Sequence, residues 1–390
     1  MARAVGRNGP ANGRGYTRSA MPESPTIAAV EQALATVMEP ELHRDIVSLH
    51  MVRDVHVEGG AVSVRVVLTT PACPLTERIE SDIRSALMER VPGVESVTVA
   101  WDSNVTSGAR GLPGRQEIPG VKNTVAVSAG KGGVGKTTVS VNVAIALAQA
   151  GARVGLLDAD IYGPNVPIMM GLRDQPQATE SGKMLPLSAF GIEVISFGTI
   201  LKPGQPVMWR GPMLAKAMRE FLYEVEWGPL DYLVIDLPPG TGDVQISLAQ
   251  SVPLTGAVIV TTPQDVSIAD VSRGIQMFTQ LRLPVLGVVE NMSGFICPHC
   301  GERTDVFGSG GGRELAERNG LRFLGEIPLD AGVRVGGGDG QPLMAAAPAS
   351  PMGKVFRGVA EQIAAEISKE NYAATGGPQM PSAPRIAIRG

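Results

Sequence analysis

The sequence predicts an α/β fold in which a mostly parallel sheet is covered by helices on both faces and preceded by a small α/β domain. Three observations predict it. Short, wholly apolar runs recur at residues 124–128, 154–157, 232–235, 257–260 and 285–289, each bounded by turn residues and separated from the next by a helix-length segment. Runs of that kind are buried parallel strands. A glycine-rich loop joins the first run to a helical segment, and a Gly/Pro-rich stretch at 103–120 divides all of this from a smaller N-terminal unit.

Taken in order, residues 1–21 read as a disordered tail. The first twenty hold four arginines and no acid, with no apolar core for a secretory signal; an overextended start upstream of Met21 is the other reading. Residues 22–102 form the small α/β domain. Ile27, Val30, Leu34 and Val37 fall at helical spacing, and Val62, Val64, Val66 and Leu68 form an alternating strand after a Gly59-Gly60 hairpin signal. Ile79, Ile83 and Leu87 mark a second helix, and the run 95–101 closes the unit. Gly108, Gly111, Pro113, Gly114, Pro119 and Gly120 make 103–120 a linker. The large domain spans 121–370, and its last helix, near 355–368, places Val355, Val359, Ile363 and Ile367 on one stripe. Residues 371–390, rich in Pro, Gly and Ala, read as a second disordered tail.

Composition narrows the function classes. Hydrophobic residues make up 44 % of the 390 positions, ample for two cores. The net charge of −4 argues against a nucleic-acid partner. No apolar run approaches the ~18 residues of a membrane span, so no membrane partner is expected. Three cysteines, Cys73, Cys297 and Cys300, are too few for a disulfide framework and suit a reducing, cytoplasmic setting.

The glycine-rich loop reads Gly130-Lys131-Gly132-Gly133-Val134-Gly135-Lys136-Thr137, followed by Thr138. The full P-loop pattern therefore stands between a strand and a helix, which makes this a P-loop NTPase fold that binds ATP. Its glycines let backbone N–H groups wrap phosphates, and the helix N-terminus adds partial positive charge. Lys136 is the residue to reach the β- and γ-phosphates, and the Thr137 hydroxyl to bind Mg²⁺. Two further strands end in carboxylates, Asp158-Ala159-Asp160 and Asp236, beside the P-loop where such sheets bind ligands. Asp236 is the candidate for the Mg²⁺ water shell, and Gly240, in the loop from Pro238 to Asp243, can bring its N–H to the γ-phosphate. Helix capping is the plain alternative for Asp158 and Asp160.

Lys131 adds specificity. With a second lysine inside the loop, the stretch resembles the deviant P-loop ATPases related to MinD and ParA. That resemblance implies a lysine reaching across a dimer interface and hence a nucleotide-sandwich homodimer. It also implies a water-positioning role for Asp158 or, as second choice, Asp160, and an adenine contact for Asn291.

Cys297-Pro298-His299-Cys300-Gly301 is a C-x-x-C knuckle whose two thiolates can grip one metal or one edge of a cluster. Four ligands are needed, and a symmetric dimer supplies four thiolates at its axis, enough for one [4Fe–4S] cluster. A zinc site using His299 or the dimer, and a redox dithiol, are the other readings. The run from residue 121 to 369 resembles the Mrp/ApbC iron–sulfur cluster carriers, with Trp209-Arg210-Gly211-Pro212-Met213 as a further mark of the group. The small domain, with its Pro71-Ala72-Cys73-Pro74 turn, resembles the SufT-like unit fused to these carriers, although it has Glu39-Pro40-Glu41 where that unit has Asp-Pro-Glu. The resemblance implies ATP hydrolysis, cluster donors as suppliers and apo iron–sulfur proteins as recipients. A buried structural role for Cys73 stands beside a transient contact with iron. The rival reading is a MinD- or ParA-like partitioning ATPase, which the Gly376-Gly377-Pro378 tail and the acidic charge disfavour.

Overall fold

A computed structural model describes residues 24–108, 116–200, 211–297 and 299–375. The expectations for residues 1–21, Trp209, Arg210, Pro298 and the tail beyond 375 lie outside these residues.

The small domain runs α1 (Ile27–Leu34), β1 (Met38–Glu39), β2 (Arg44–Asp45), β3 (Val52–Glu58), β4 (Ala61–Leu68), α2 (Thr76–Arg90) and β5 (Ser96–Ser103). Thr26 starts α1 by accepting the Ala29 N–H at 3.2 Å, the capping bond that an isolated helix end lacks. β3 and β4 pair antiparallel across Gly59, and β5 joins β4 in parallel. Val62, Val64 and Val66 of β4 face one way and meet Ile79, Ile83 and Leu87 of α2, so the period-two and period-four apolar patterns bury each other. The Glu39 carboxylate is buried and accepts the N–H groups of Glu41 and Leu42. Its role in the Glu-Pro-Glu stretch is to hold a turn.

The large domain continues with β6 (Thr124–Ala129), α3 (Lys136–Gln149), β7 (Val154–Asp158), α4 (Val166–Met169), β8 (Leu187–Ala189), β9 (Ile192–Ser196) and α5 (Phe197–Ile200). Then follow α6 (Gly211–Tyr223), β10 (Tyr232–Asp236), α7 (Asp243–Ser251), β11 (Gly256–Thr261), α8 (Asp265–Gln280), β12 (Val285–Ile296), β13 (Arg303–Thr304), α9 (Gly311–Arg318), β14 (Phe323–Leu329), α10 (Ala331–Gly338), α11 (Leu343–Ala346) and α12 (Pro351–Thr375). The sheet order is β13-β12-β11-β6-β10-β7-β9-β8, with β14 also paired to β12. Among the described strands of this sheet only β8 and β13 pair antiparallel, at the two ends. Alternate residues feed two cores: Val125, Val127, Tyr232 and Val234 point into one, Ala126, Leu233 and Ile235 into the other. α3 and α12 cover the first face, and α6, α7 and α8 the second.

α12 joins the two domains. Its expected stripe is present, with Val359, Ile363 and Ile367 buried against the sheet, each such side chain contributing roughly 1.5–3 kcal/mol. The helix runs to Thr375, beyond the expected domain end at 370. Asn371 Nδ2 donates to Thr106 O and to Asn123 Oδ1, both at 3.0 Å, and the Tyr372 hydroxyl accepts from Arg44 at 2.7 Å. These bonds carry the chain across what composition marks as a tail. Lys369 pairs with Glu41 at 3.3 Å, and Tyr232 donates to Thr70 at 3.0 Å. Val105 and Ile118, within the 103–120 stretch, are buried.

Candidate functional site

The site lies at the C-terminal ends of β6, β7 and β10. β6 delivers the chain into the loop, where Gly133 and Gly135 take φ of +81° and +83°, values an L side chain rarely adopts. A Cβ at Gly135 would collide with the side-chain amide of Asn291. α3 begins at Lys136, so its first N–H groups face a cleft of about 870 Å³ floored by Lys131 to Thr138.

Beneath the cleft floor the charges are organised around Asp236, which is fully buried and, like Asp158, does not line the cleft itself. Lys136 Nζ lies 2.8 Å from Asp236 Oδ1 and 3.8 Å from Asp160 Oδ2. Thr137 donates to Asp236 Oδ2 at 2.7 Å, and Ser140 donates to Oδ1 at 2.6 Å. The Thr137 hydroxyl and Asp236 carboxylate thus stand together as hard oxygen donors, a set that fits Mg²⁺.

The two carboxylates after β7 differ. Asp158 is fully buried and does not line the cleft. It accepts from Ser196 Oγ at 2.7 Å, from the Asp160 N–H at 3.1 Å and from the Val166 N–H at 3.3 Å. Burial, and then the Asp236 charge, push its carboxyl well above the usual range. Asp160 does line the cleft. Burial raises it too, against the pull of Lys136.

Two expected nucleotide contacts are otherwise engaged in this structure. The Gly240 N–H donates to Ala129 O at 2.9 Å, and Asn291 Nδ2 donates to Val134 O at 2.8 Å. Neither residue lines the cleft, whereas Tyr162, Asn165, Ile168, Gln245 and Arg334 do. Sequence reasoning missed these five. Tyr162 and Asn165 follow Asp160 closely enough to be inferred from their place beyond a parallel strand. Arg334 arrives from α10 with no comparable signal.

The cysteine pair sits at the tip of the β12–β13 hairpin, where Phe295 faces Thr304 and Ile296 faces Arg303. The Cys297 N–H donates to Glu302 O, and the Gly301 N–H to Cys297 O, both at 2.9 Å. Backbone N–H groups of Cys300 and His299, then the Cys300 thiol, lower the Cys297 pKa below the usual thiol value, which favours the metal-binding thiolate. Cys300 is exposed. Among the described residues no group of three or more His, Cys, Asp or Glu side chains could hold a metal ion. Cys73 packs instead against the small-domain core, where burial pushes its thiol up.

A family model described as the NUBPL iron-transfer P-loop NTPase matches residues 120–364. The chain belongs to this iron-transfer P-loop NTPase family. The small domain, over residues 27–101, matches a second family described as an iron–sulfur cluster assembly protein. A protein of Synechocystis named iron–sulfur cluster carrier protein is 51 % identical over 348 residues, covering 88 % of this chain and 98 % of its own. A protein of the same name from Deinococcus radiodurans is also 51 % identical, covering 87 % of this chain and 95 % of its own. Among solved structures, a nucleotide-binding protein from Archaeoglobus fulgidus in complex with ADP is 41 % identical with a TM-score of 0.52. It covers 57 % of this chain and 88 % of its own. The family membership agrees with the resemblance drawn from the P-loop, the Asp236 segment and the cysteine pair. No helix among the described residues is long and apolar enough to cross a membrane.

Proposed function

We propose that this chain is an ATP-hydrolysing iron–sulfur cluster carrier of the cytoplasm. It works as a homodimer that holds a [4Fe–4S] cluster between Cys297 and Cys300 of both copies and passes it to apo-proteins. The observation that carries the reading is the Cys297–Cys300 pair at the hairpin tip that follows β12, with Cys300 exposed and Asn291 of that strand bonded to the P-loop. One chain brings two thiols, and a two-fold axis doubles them to the four such a cluster takes. The names of the relatives support the cargo.

In the nucleotide site, Lys136 turns from Asp236 toward the β- and γ-phosphates, and Lys131 reaches the partner's nucleotide. Thr137 and Asp236 would hold Mg²⁺, which would supply charge neutralisation at the phosphates. Asp160, rather than the enclosed Asp158, orients the attacking water, because only Asp160 faces the cleft.

Anaerobic reconstitution with iron and sulfide tests the cargo. The expected result is about four irons per two chains, lost in Cys297→Ala and in Cys300→Ala and kept in Cys73→Ala. Colourless protein holding zinc would assign a zinc site. A Cys297–Cys300 disulfide without metal would assign a redox dithiol.

A further inference from the structure

Gln245, on the first turn of α7, lines the nucleotide cleft and is 2 % exposed. Its side-chain nitrogen donates to Ser128 Oγ, itself buried on β6 just before the P-loop. Its side-chain oxygen, Gln245 Oε1, is buried and has no hydrogen-bond partner. Buried acceptors are nearly always satisfied in folded proteins, so an unfilled one on a cleft wall marks a place where a donor arrives with the ligand.

The chemistry of the cleft limits what that donor is. Nucleotide phosphates present acceptors alone. In this structure Lys136 pairs with Asp236 and Asp160, and Thr137 and Ser140 donate to Asp236; with nucleotide bound, Lys136 turns to the phosphates. A donor that enters with the nucleotide and fits this acceptor is water. A water that attacks phosphorus points a lone pair at it and needs acceptors for both of its O–H bonds. Asp160 and Gln245 are two acceptors lining the same cleft.

We propose that Gln245 is a positioning residue for ATP hydrolysis, its free Oε1 accepting one O–H of the attacking water while Asp160 accepts the other. This rests on the hydrolytic reading given above. As placed, the Ser128 bond engages the amide nitrogen and leaves the oxygen as the open atom. It also ties the helix that follows the Pro238–Pro239 turn to the strand feeding the P-loop, so the acceptor is held in place by the element that holds the phosphates. In the step itself, water oxygen bonds to the γ-phosphorus, the bond to the β-bridging oxygen breaks, and the water proton leaves toward Asp160. Gln245 exchanges no proton.

Steady-state hydrolysis by the full-length protein, with nucleotide affinity measured separately by a fluorescent ATP analogue, tests it. Gln245→Met should lower kcat by at least about 10-fold while KM and nucleotide affinity stay within about threefold. Gln245→Glu keeps an acceptor oxygen in the same place and should recover a large part of that loss. Ser128→Ala loosens the tether but keeps the acceptor, so its loss in kcat should be clearly smaller than that of Gln245→Met. Equal losses in Gln245→Met and Ser128→Ala would make the tether the function and overturn the proposal. So would a Gln245→Met rate equal to that of the parent. A raised Mg²⁺ requirement in Gln245→Met would move the contact to a metal-bound water. Weaker ATP binding in both Gln245 variants would assign the amide nitrogen to phosphate. A parent protein that hydrolyses no ATP would sink the hydrolytic reading itself, an outcome distinct from all of these.

Discussion

The side-chain amide of Asn291 donates to the backbone carbonyl of Val134 at 2.8 Å. One bond therefore fastens the nucleotide loop to the strand that ends beside Cys297. Between them β12 is irregular: Met292 and Gly294 take φ of +58° and +71°, and the register to β14 shifts between Asn291 and Phe295. Nucleotide binding that moves Val134 has a short route to the cysteines, through this hydrogen bond and then the backbone of β12. Thiol alkylation of Cys297 and Cys300 should change rate when ATP is added to the parent protein, and Asn291→Ala should erase most of that change. An unaltered ATP response in the variant would show that the route is not used.

Lys136 and Lys131 should separate binding from turnover. Lys136→Ala removes the cation proposed to reach the phosphates and leaves Asp236 with only its Thr137 and Ser140 bonds, so it should abolish hydrolysis. If Lys131 works in the other copy's site, as the proposed sandwich dimer requires, Lys131→Ala should keep much ATP binding and lose hydrolysis. Parental turnover by the Lys131 variant would remove the sandwich dimer from the account.

Asp158 and Asp160 should behave differently when made into amides. Asp160→Asn should reduce kcat by about 10²-fold or more. Asp158→Asn should fold and retain much more activity, since Asp158 is enclosed by Ser196 and backbone N–H groups away from the cleft. The pH dependence has a definite sign. Asp158 has its folded pKa raised to about 8 from the ordinary 3.8. It therefore favours folding most below pH ~4 and loses that contribution as pH rises toward about 8. Asp158→Asn should flatten this alkaline slope in thermal melts. An unchanged slope would place the cause elsewhere.

Asp231 should show the opposite sign. It sits at the far end of β10, where Arg153 binds it through the backbone N–H at 3.0 Å and through Nη2 at 2.9 Å, and Lys122 lies 2.9 Å away. Burial would push its carboxyl up, but the Arg153 bonds and then Lys122 hold it at about 2. The stabilisation is present above the unfolded pKa near 3.8 and is lost as pH falls toward about 2. Since Arg153 is half exposed, solvent screening reduces its worth to about 1–2 kcal/mol. Asp231→Asn should be destabilised by that amount at pH 7, and the difference from the parent should shrink at pH 3. A constant difference across this range would rule out the ion pair as its source.

The sheet was legible in the sequence only where strands are buried on both faces. β6, β7, β10, β11 and the first part of β12 read as continuous apolar runs for that reason. β9 carries Glu193, whose carboxylate accepts the Gly228 N–H, and β14 carries Glu326, which pairs with Arg303. Those charges broke the apolar pattern and hid both strands. The P-loop was legible because eight consecutive residues encode it. Gln245 and Arg334 were not, because each reaches the cleft through the packing of a helix distant in sequence from the loop.

α12 follows every other described element in chain order, yet it covers α3 and β14 and carries the residues that clasp the small domain. On the ribosome this reverses the usual advantage of early synthesis. The N-terminal unit can collapse on its own core as soon as β5 emerges. The P-loop layer keeps the apolar surface later covered by Phe356, Val359, Ile363 and Ile367 bare until the last turns appear. At roughly 5–20 residues per second, the 25 residues of α12 take on the order of seconds to make. For that interval the nascent chain presents a sticky face with no partner of its own, and a holding chaperone would find its binding site there.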